Sequence, residues 1–88
     1  MNVRYFAAAR AAAGVEEERF DLPPGATVES LLEAVLSVAR PEPPVGTPPL
    51  PRILSRSSFL LNEVAVRDRS VALGPGDVVD VLPPFAGG

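Results

Sequence analysis

The residues best suited to chemistry in this chain are its last five, Pro84-Phe85-Ala86-Gly87-Gly88. A Gly-Gly end can run extended into a narrow channel and bring its backbone close to another protein's atoms, because neither residue carries a Cβ. The Gly88 carboxylate is then free of side-chain crowding. The run Val78-Val79-Asp80-Val81-Leu82-Pro83-Pro84-Phe85 leads directly into it. A strand followed by a Pro-Pro stiffener should therefore present the end from a rigid body. A frayed terminus is the plain alternative, but it leaves the apolar approach unexplained.

The side chains that are absent point the same way. The sequence has no His, Cys or Trp, and all eight of its basic residues are Arg. A serine nucleophile ordinarily needs a His or Lys base, and neither is present. Metal sites built on His or Cys are excluded, leaving only carboxylate-type sites, and no metal site is expected. Without cysteine there is no disulfide and no thiol chemistry. Of the eleven carboxylates, most fall on positions that should be exposed; Glu16-Glu17-Glu18 reads as the solvated start of a strand. The chain is expected to catalyse nothing alone and to bind no cofactor. Its reactive group should be the main chain's own end.

Composition bounds the rest. The 88 residues suit one domain spanning 1–88, large enough to bury about 60–65% of its surface on folding. A hydrophobic content of 47% argues against disorder. The net charge is −3 and the arginines are scattered, which disfavours nucleic acid and anionic membrane surfaces as partners. No apolar run approaches the roughly 20 residues of a membrane span. The start is only faintly like a signal peptide, because Arg10 interrupts it. The expected location is the cytoplasm.

The elements that must position the tail are legible as periodicities. Residues 2–8 alternate, with Val3, Tyr5 and Ala7 opposite Asn2, Arg4, Phe6 and Ala8, as in a strand. Ala9 to Ala13 should form a helical turn that Gly14 ends. Residues 16–22 alternate again, placing Glu18, Phe20 and Leu22 on one face, with Phe20 and Leu22 in the core. Thr27 is a good N-cap, and Val28, Leu31, Leu32, Val35 and Leu36 form the apolar stripe of a helix ending near Ala39. Six prolines over 40–52 predict a stiff surface loop with neither helix nor central strand. Phe59-Leu60-Leu61 and Val64-Ala65-Val66 read as strands joined by an Asn62-Glu63 turn. Gly74-Pro75-Gly76-Asp77 is a strong turn signal before a last strand over 78–82.

This order predicts an α+β fold: a mixed sheet of four or five strands, one main helix on one face, and an extended tail over 83–88. In the last strand Asp80 should not be buried unpaired, so Val79 and Val81 should face the helix, leaving Val78 and Leu82 exposed. Pairing the first and last strands would gather Phe6 and Leu82 on the open face near Phe85, a possible docking patch.

These residues, in this order, resemble the MoaD family, the small β-grasp, ubiquitin-like sulfur carriers that form the small subunit of molybdopterin synthase. Tyr5-Phe6-Ala7 followed by Arg10 and Gly14 is similar to the family's first strand and turn. Thr27-Val28 with Leu31-Leu32 is similar to its helix start. The Asn62-Glu63 turn, Leu73 with Gly76-Asp77-Val78-Val79, and Leu82-Pro83-Pro84-Phe85-Ala86-Gly87-Gly88 are similar to its C-terminal third. The stretch from Pro41 to Pro51 departs from the pattern, which bears on the packing of that side and not on the tail.

The resemblance implies a mechanism. An E1-like enzyme would use ATP to adenylate Gly88, and a sulfur donor would convert the acyl-adenylate to a thiocarboxylate. The loaded tail would enter a MoaE-type large synthase subunit and give its sulfur to a pterin precursor. Gly87 and Ala86 would keep the tail slender. Pro83 and Pro84 would limit the ordering entropy lost on docking. Phe6, Leu82 and Phe85 would make apolar contact with partners. Three other readings share the residues: a sulfur carrier for thiamine, thionucleoside or cysteine synthesis; a ubiquitin-like modifier joined to lysines of other proteins; and a binding module using the Pro-rich loop.

Overall fold

Alternating residues at both ends of the chain build the middle of the molecule. Val3 and Tyr5 of β1 (Asn2–Tyr5) and Val79 and Val81 of β5 (Val78–Leu82) are buried, and the two strands pair in parallel, Val3 beside Val79 and Tyr5 beside Val81. β2 (Glu17–Arg19) flanks β1 antiparallel. On the other side β3 (Ser58–Leu61) flanks β5, and β4 (Val64–Ala65) closes the edge. The result is a five-stranded mixed sheet in the order β2-β1-β5-β3-β4, the α+β class that the element order predicts and the β-grasp arrangement that the family resemblance implies. The computed structural model describes residues 1–84.

Three helices, not one, cover the buried face: α1 (Ala7–Ala13), α2 (Val28–Ser37) and α3 (Leu50–Arg56). The α1 run of alanines ends at Gly14, whose φ of 81° permits the left-handed cap that donates to the Arg10 carbonyl at 2.9 Å. In α2 the Thr27 side chain accepts from the Ser30 backbone, and the Ser30 hydroxyl accepts from the Thr27 backbone. The next donors, Val28 and Glu29, reach the carbonyls of Val71 and Arg69, so the helix start is satisfied throughout. Val28, Leu31, Leu32 and Val35 are buried as expected, whereas Leu36 is exposed and the helix stops at Ser37.

Three sequence expectations need correction. The first strand ends at Tyr5 instead of residue 8, because Ala7 takes a positive φ of 50° that turns the chain into α1. The second strand is limited to 17–19, and its ladder ends with the Met1–Phe20 backbone exchange; Phe20 and Leu22 are half-buried against the core. The loop expected over 40–52 stops at Pro49, since α3 begins at Leu50. Pro51 does not break this helix because it lies in the first turn, where the missing N–H has no acceptor to lose.

The Asn62-Glu63 turn is present with φ of 49° and 70°. Two positive φ values define the tight turn that suits the twist of a hairpin, with Asn-Gly its best sequence. Glu63 is exposed and strained there. The E63G variant is expected to gain up to about 1 kcal/mol, because glycine removes the left-handed penalty. Thermal unfolding should show a midpoint a few degrees higher; a lower midpoint would mean that Glu63 makes a compensating contact.

Candidate functional site

The tail springs from β5, the central strand of the sheet, held on both sides up to its last residues. Tyr5 pairs with Val81 on one side, Ser58 with Leu82 on the other, and the Phe6 N–H donates to the Val81 carbonyl at 3.3 Å. Beyond Leu82, Pro83 is half-buried and Pro84 is exposed. A group mounted here moves with the body of the protein, not with a loop. Phe85, Ala86, Gly87 and Gly88 lie outside the described residues.

The face of the sheet opposite the helices carries Arg4, Asp80, Leu60 and Leu82 by register, and Phe6 follows β1 as the N-cap of α1. Phe6 is 42% exposed, and Leu82 is half-buried near the tail's root. Both partner candidates lie where β1 and β5 end, Phe6 one residue past Tyr5 and Leu82 one past Val81, which pair with each other. Val79 and Val81 face the helices as expected, but Val78 and Leu82 are half-buried instead of exposed. Asp80 is buried as well, though not unpaired: Arg4 donates to it twice, Nε to Oδ1 at 2.5 Å and Nη2 to Oδ2 at 2.8 Å. This fork of two parallel bonds neutralises the middle of the face and splints β1 to β5 just before the tail.

Sequence reasoning missed a second ion pair. Glu18, read as part of a solvated run, accepts from Arg40 at 2.7 Å and 3.1 Å and from the Tyr5 hydroxyl at 2.8 Å. Arg40 also donates to the carbonyls of Ala13 and Val35 at 3.1 Å and 3.0 Å. These carbonyls end α1 and α2, where a cation is favoured by the helix dipoles. One guanidinium therefore ties together β1, β2, α1 and α2, leaving only its buried Nε without a partner. Burial opposes ionisation of Glu18, but the bonds from Arg40 and Tyr5 outweigh it and hold the carboxyl below its usual range. Burial, then the bond to Glu18 and its negative charge, push the Tyr5 hydroxyl well up. A signal was available: Glu18 shares a strand face with Phe20 and Leu22, and a carboxylate on a core face needs a cation.

Among the described residues no group of three or more acidic, His or Cys side chains converges as a metal site, and no helix is long and apolar enough to cross a membrane. What the arrangement offers chemically is a rigid mount for the chain end.

The ThiS family profile matches residues 3–88. The molybdopterin synthase sulfur carrier subunit of Chlamydomonas reinhardtii is 36% identical over 89 residues, covering 100% of this chain and 98% of that protein. The structure of a putative molybdopterin converting factor subunit 1 from Pyrococcus furiosus superposes with a TM-score of 0.71 at 28% identity, over 96% of this chain and 95% of the other. SAMP1 of Haloferax volcanii, a small archaeal modifier protein, superposes with a TM-score of 0.79 at 26% identity, over 100% of this chain and 98% of its own. With a β-grasp sheet whose central strand runs into the tail, and matches spanning nearly its whole length, the chain belongs to the ThiS family, among the ubiquitin-like sulfur carriers that its sequence resembles.

Proposed function

We propose that this chain is the sulfur-carrying small subunit of a molybdopterin synthase, with Gly88 as the loaded residue. The observation that carries the reading is the full-length similarity to the Chlamydomonas carrier subunit, in a chain whose central strand leads into Gly87-Gly88. In the first step a Gly88 carboxylate oxygen attacks the α-phosphorus of ATP on an E1-like enzyme, and pyrophosphate leaves. In the second, sulfide attacks the acyl-adenylate carbonyl, AMP leaves, and loss of the remaining S–H proton gives a thiocarboxylate. Adenylation is needed because a carboxylate is a poor electrophile. The thiocarboxylate is the better nucleophile at neutral pH, and it acts on a pterin precursor inside a MoaE-type large subunit. The carrier itself presents the group, and the partner supplies the pocket.

Incubation with the activating enzyme, ATP and sulfide is the direct test. Intact mass spectrometry should show a gain equal to replacement of one oxygen by sulfur, located in the C-terminal peptide. A chain that keeps its mass while a known carrier is loaded in parallel would rule the proposal out. The similarity to SAMP1 supports a second use of the same activated end, transfer to lysines of other proteins. Lysine-linked adducts in cell extracts would favour that reading. Loss of molybdoenzyme activity alone, with thiamine synthesis and tRNA thiolation intact, would favour the molybdopterin role.

A further inference from the structure

Every primary amine on a carrier of an activated acyl group is a place where that group can be lost. The sequence has no Lys, and all eight of its basic residues are Arg. This choice keeps positive charge and removes the nucleophile. A guanidinium stays protonated at physiological pH, whereas a small fraction of exposed lysine is always free amine. Hydroxyls are weak acceptors without a His or Lys base, and the sequence has neither.

The fold decides where that choice matters. Arg52 and Arg56 are exposed on α3, four residues apart on one helix face. With Pro83 and Pro84 they border a groove of about 300 Å³, so they stand beside the root of the tail. Four residues follow Pro84, and four extended residues span up to about 14 Å. Chain length alone keeps the Gly88 carbonyl within that distance of Pro84. An amine beside the root would meet it at an effective concentration of about a millimolar. Arg4 and Arg40 use the guanidinium fork in several internal hydrogen bonds. Arg52 and Arg56 have no carboxylate within ion-pair distance among the described residues, unlike Arg4, Arg10, Arg19, Arg40 and Arg69. No ion pair therefore calls for a guanidinium at these two positions. The α-amine at Met1 is withheld in another way. It donates to the Phe20 carbonyl at 3.0 Å, and Met1 is 7% exposed. It lies at the end of the sheet away from the tail, since β1 and β5 are parallel and Asn2 pairs with Val78.

We infer that the chain is built as an acyl donor that cannot accept its own activated end: Arg52 and Arg56 supply charge beside the tail without a nucleophile, and the α-amine is tied to Phe20. The excluded step is attack of a neutral amine on the activated Gly88 carbonyl. The C–N bond would form, the leaving group would depart with the electrons of its C–O or C–S bond, and the amine's proton would pass to solvent. The product would be a dead-end amide. The inference rests on the carrier reading and adds to it the reason for arginine at these positions.

The test uses the full chain carrying a small-thiol thioester at Gly88, made by intein cleavage, so that no activating enzyme is needed. At mildly alkaline pH the unaltered chain should only hydrolyse to the free acid. The R56K variant should instead release the thiol and end lighter than its free acid by one water, with fragmentation placing the amide between the introduced amine and Gly88. Its rate should not depend on chain concentration. At about 10 μM chain it should be roughly 100-fold above the bimolecular coupling of R19K, whose amine lies at the Met1 end of the sheet, where Arg19 pairs with Asn2. R52K supplies a second amine beside the tail, and melting curves confirm that each variant is folded. Coupling in the unaltered chain, at Met1 or elsewhere, overturns the inference. Hydrolysis alone in folded R56K and R52K also overturns it, because arginine there would then protect nothing. Neither result touches the carrier reading, whose failure shows separately as absent loading by the adenylating enzyme.

Discussion

Deletion of Gly88 is expected to abolish ATP-dependent loading while leaving the thermal unfolding midpoint where it was. The deletion withdraws the terminal carbonyl by one residue, about 3.5 Å along an extended chain. Misplacing a reacting atom by about 1 Å can already cost a factor of roughly 100 in rate. On the carrier reading, loss of the residue to be activated should bring the residual rate below detection. Stability should not follow, because among the described residues the last member of the hydrophobic core in sequence is Val81, and the splint between β1 and β5 is made by Arg4 and Asp80. Mass spectrometry after loading and a melting curve on the same preparation check both halves. Retained loading would place the activated carbonyl elsewhere, and a lowered midpoint would make the tail part of the fold.

Replacement of Arg40 by Met should do the opposite, damaging the fold and leaving the tail's chemistry intact in whatever fraction remains folded. The R40M variant keeps the volume of the stem but strands the Glu18 carboxylate, whose side chain is only 21% exposed, beside Tyr5. It also frees the carbonyls of Ala13 and Val35 at the ends of two helices. Removing one partner of a buried pair costs about 3–5 kcal/mol, and the lower end applies here because Glu18 keeps some contact with water. For a domain of this size about 3 kcal/mol corresponds to a fall of roughly 15 °C in the melting midpoint. A double variant with Glu18→Gln should recover part of the loss, since no charge is then stranded. A fall of only a degree or two in R40M would show that the clamp is ornamental.

The same clamp sets a direction for pH dependence. The Glu18 carboxyl is held below its ordinary value in the folded chain. Its contribution to stability is therefore fully present above the unfolded carboxylate pKa and is lost as pH falls through the depressed folded value. Denaturant midpoints measured from neutral pH downward should decline through that acid range, and the decline should be smaller in the R40M variant, where the bonds and charge of Arg40 no longer lower the carboxyl.

How much of this was readable in advance differs from element to element. Reading and structure agree at Val3 and Tyr5, at Val79 and Val81, along the stripe from Val28 to Val35, and at the Asn62-Glu63 and Gly74–Asp77 turns. α3 was hidden because Pro51 masks Leu50, Ile53 and Leu54, which are spaced as on a helix. The first strand was read too long because small alanines suit strand alternation and helix alike.

The side-chain inventory, without any fold, set where chemistry is proposed: with no His, Cys or Lys in the chain, the backbone end is the candidate reactive group. The local periods of the sequence also determined the kind of elements and their order. Only the tertiary structure decided which charges are used internally and which are left over. Arg40 finds Glu18 across 22 residues and Arg4 finds Asp80 across 76, while Arg52 and Arg56 find no carboxylate among the described residues. Ion pairing is a matter of distance in space, which a one-dimensional pattern does not contain until the strands have chosen their neighbours.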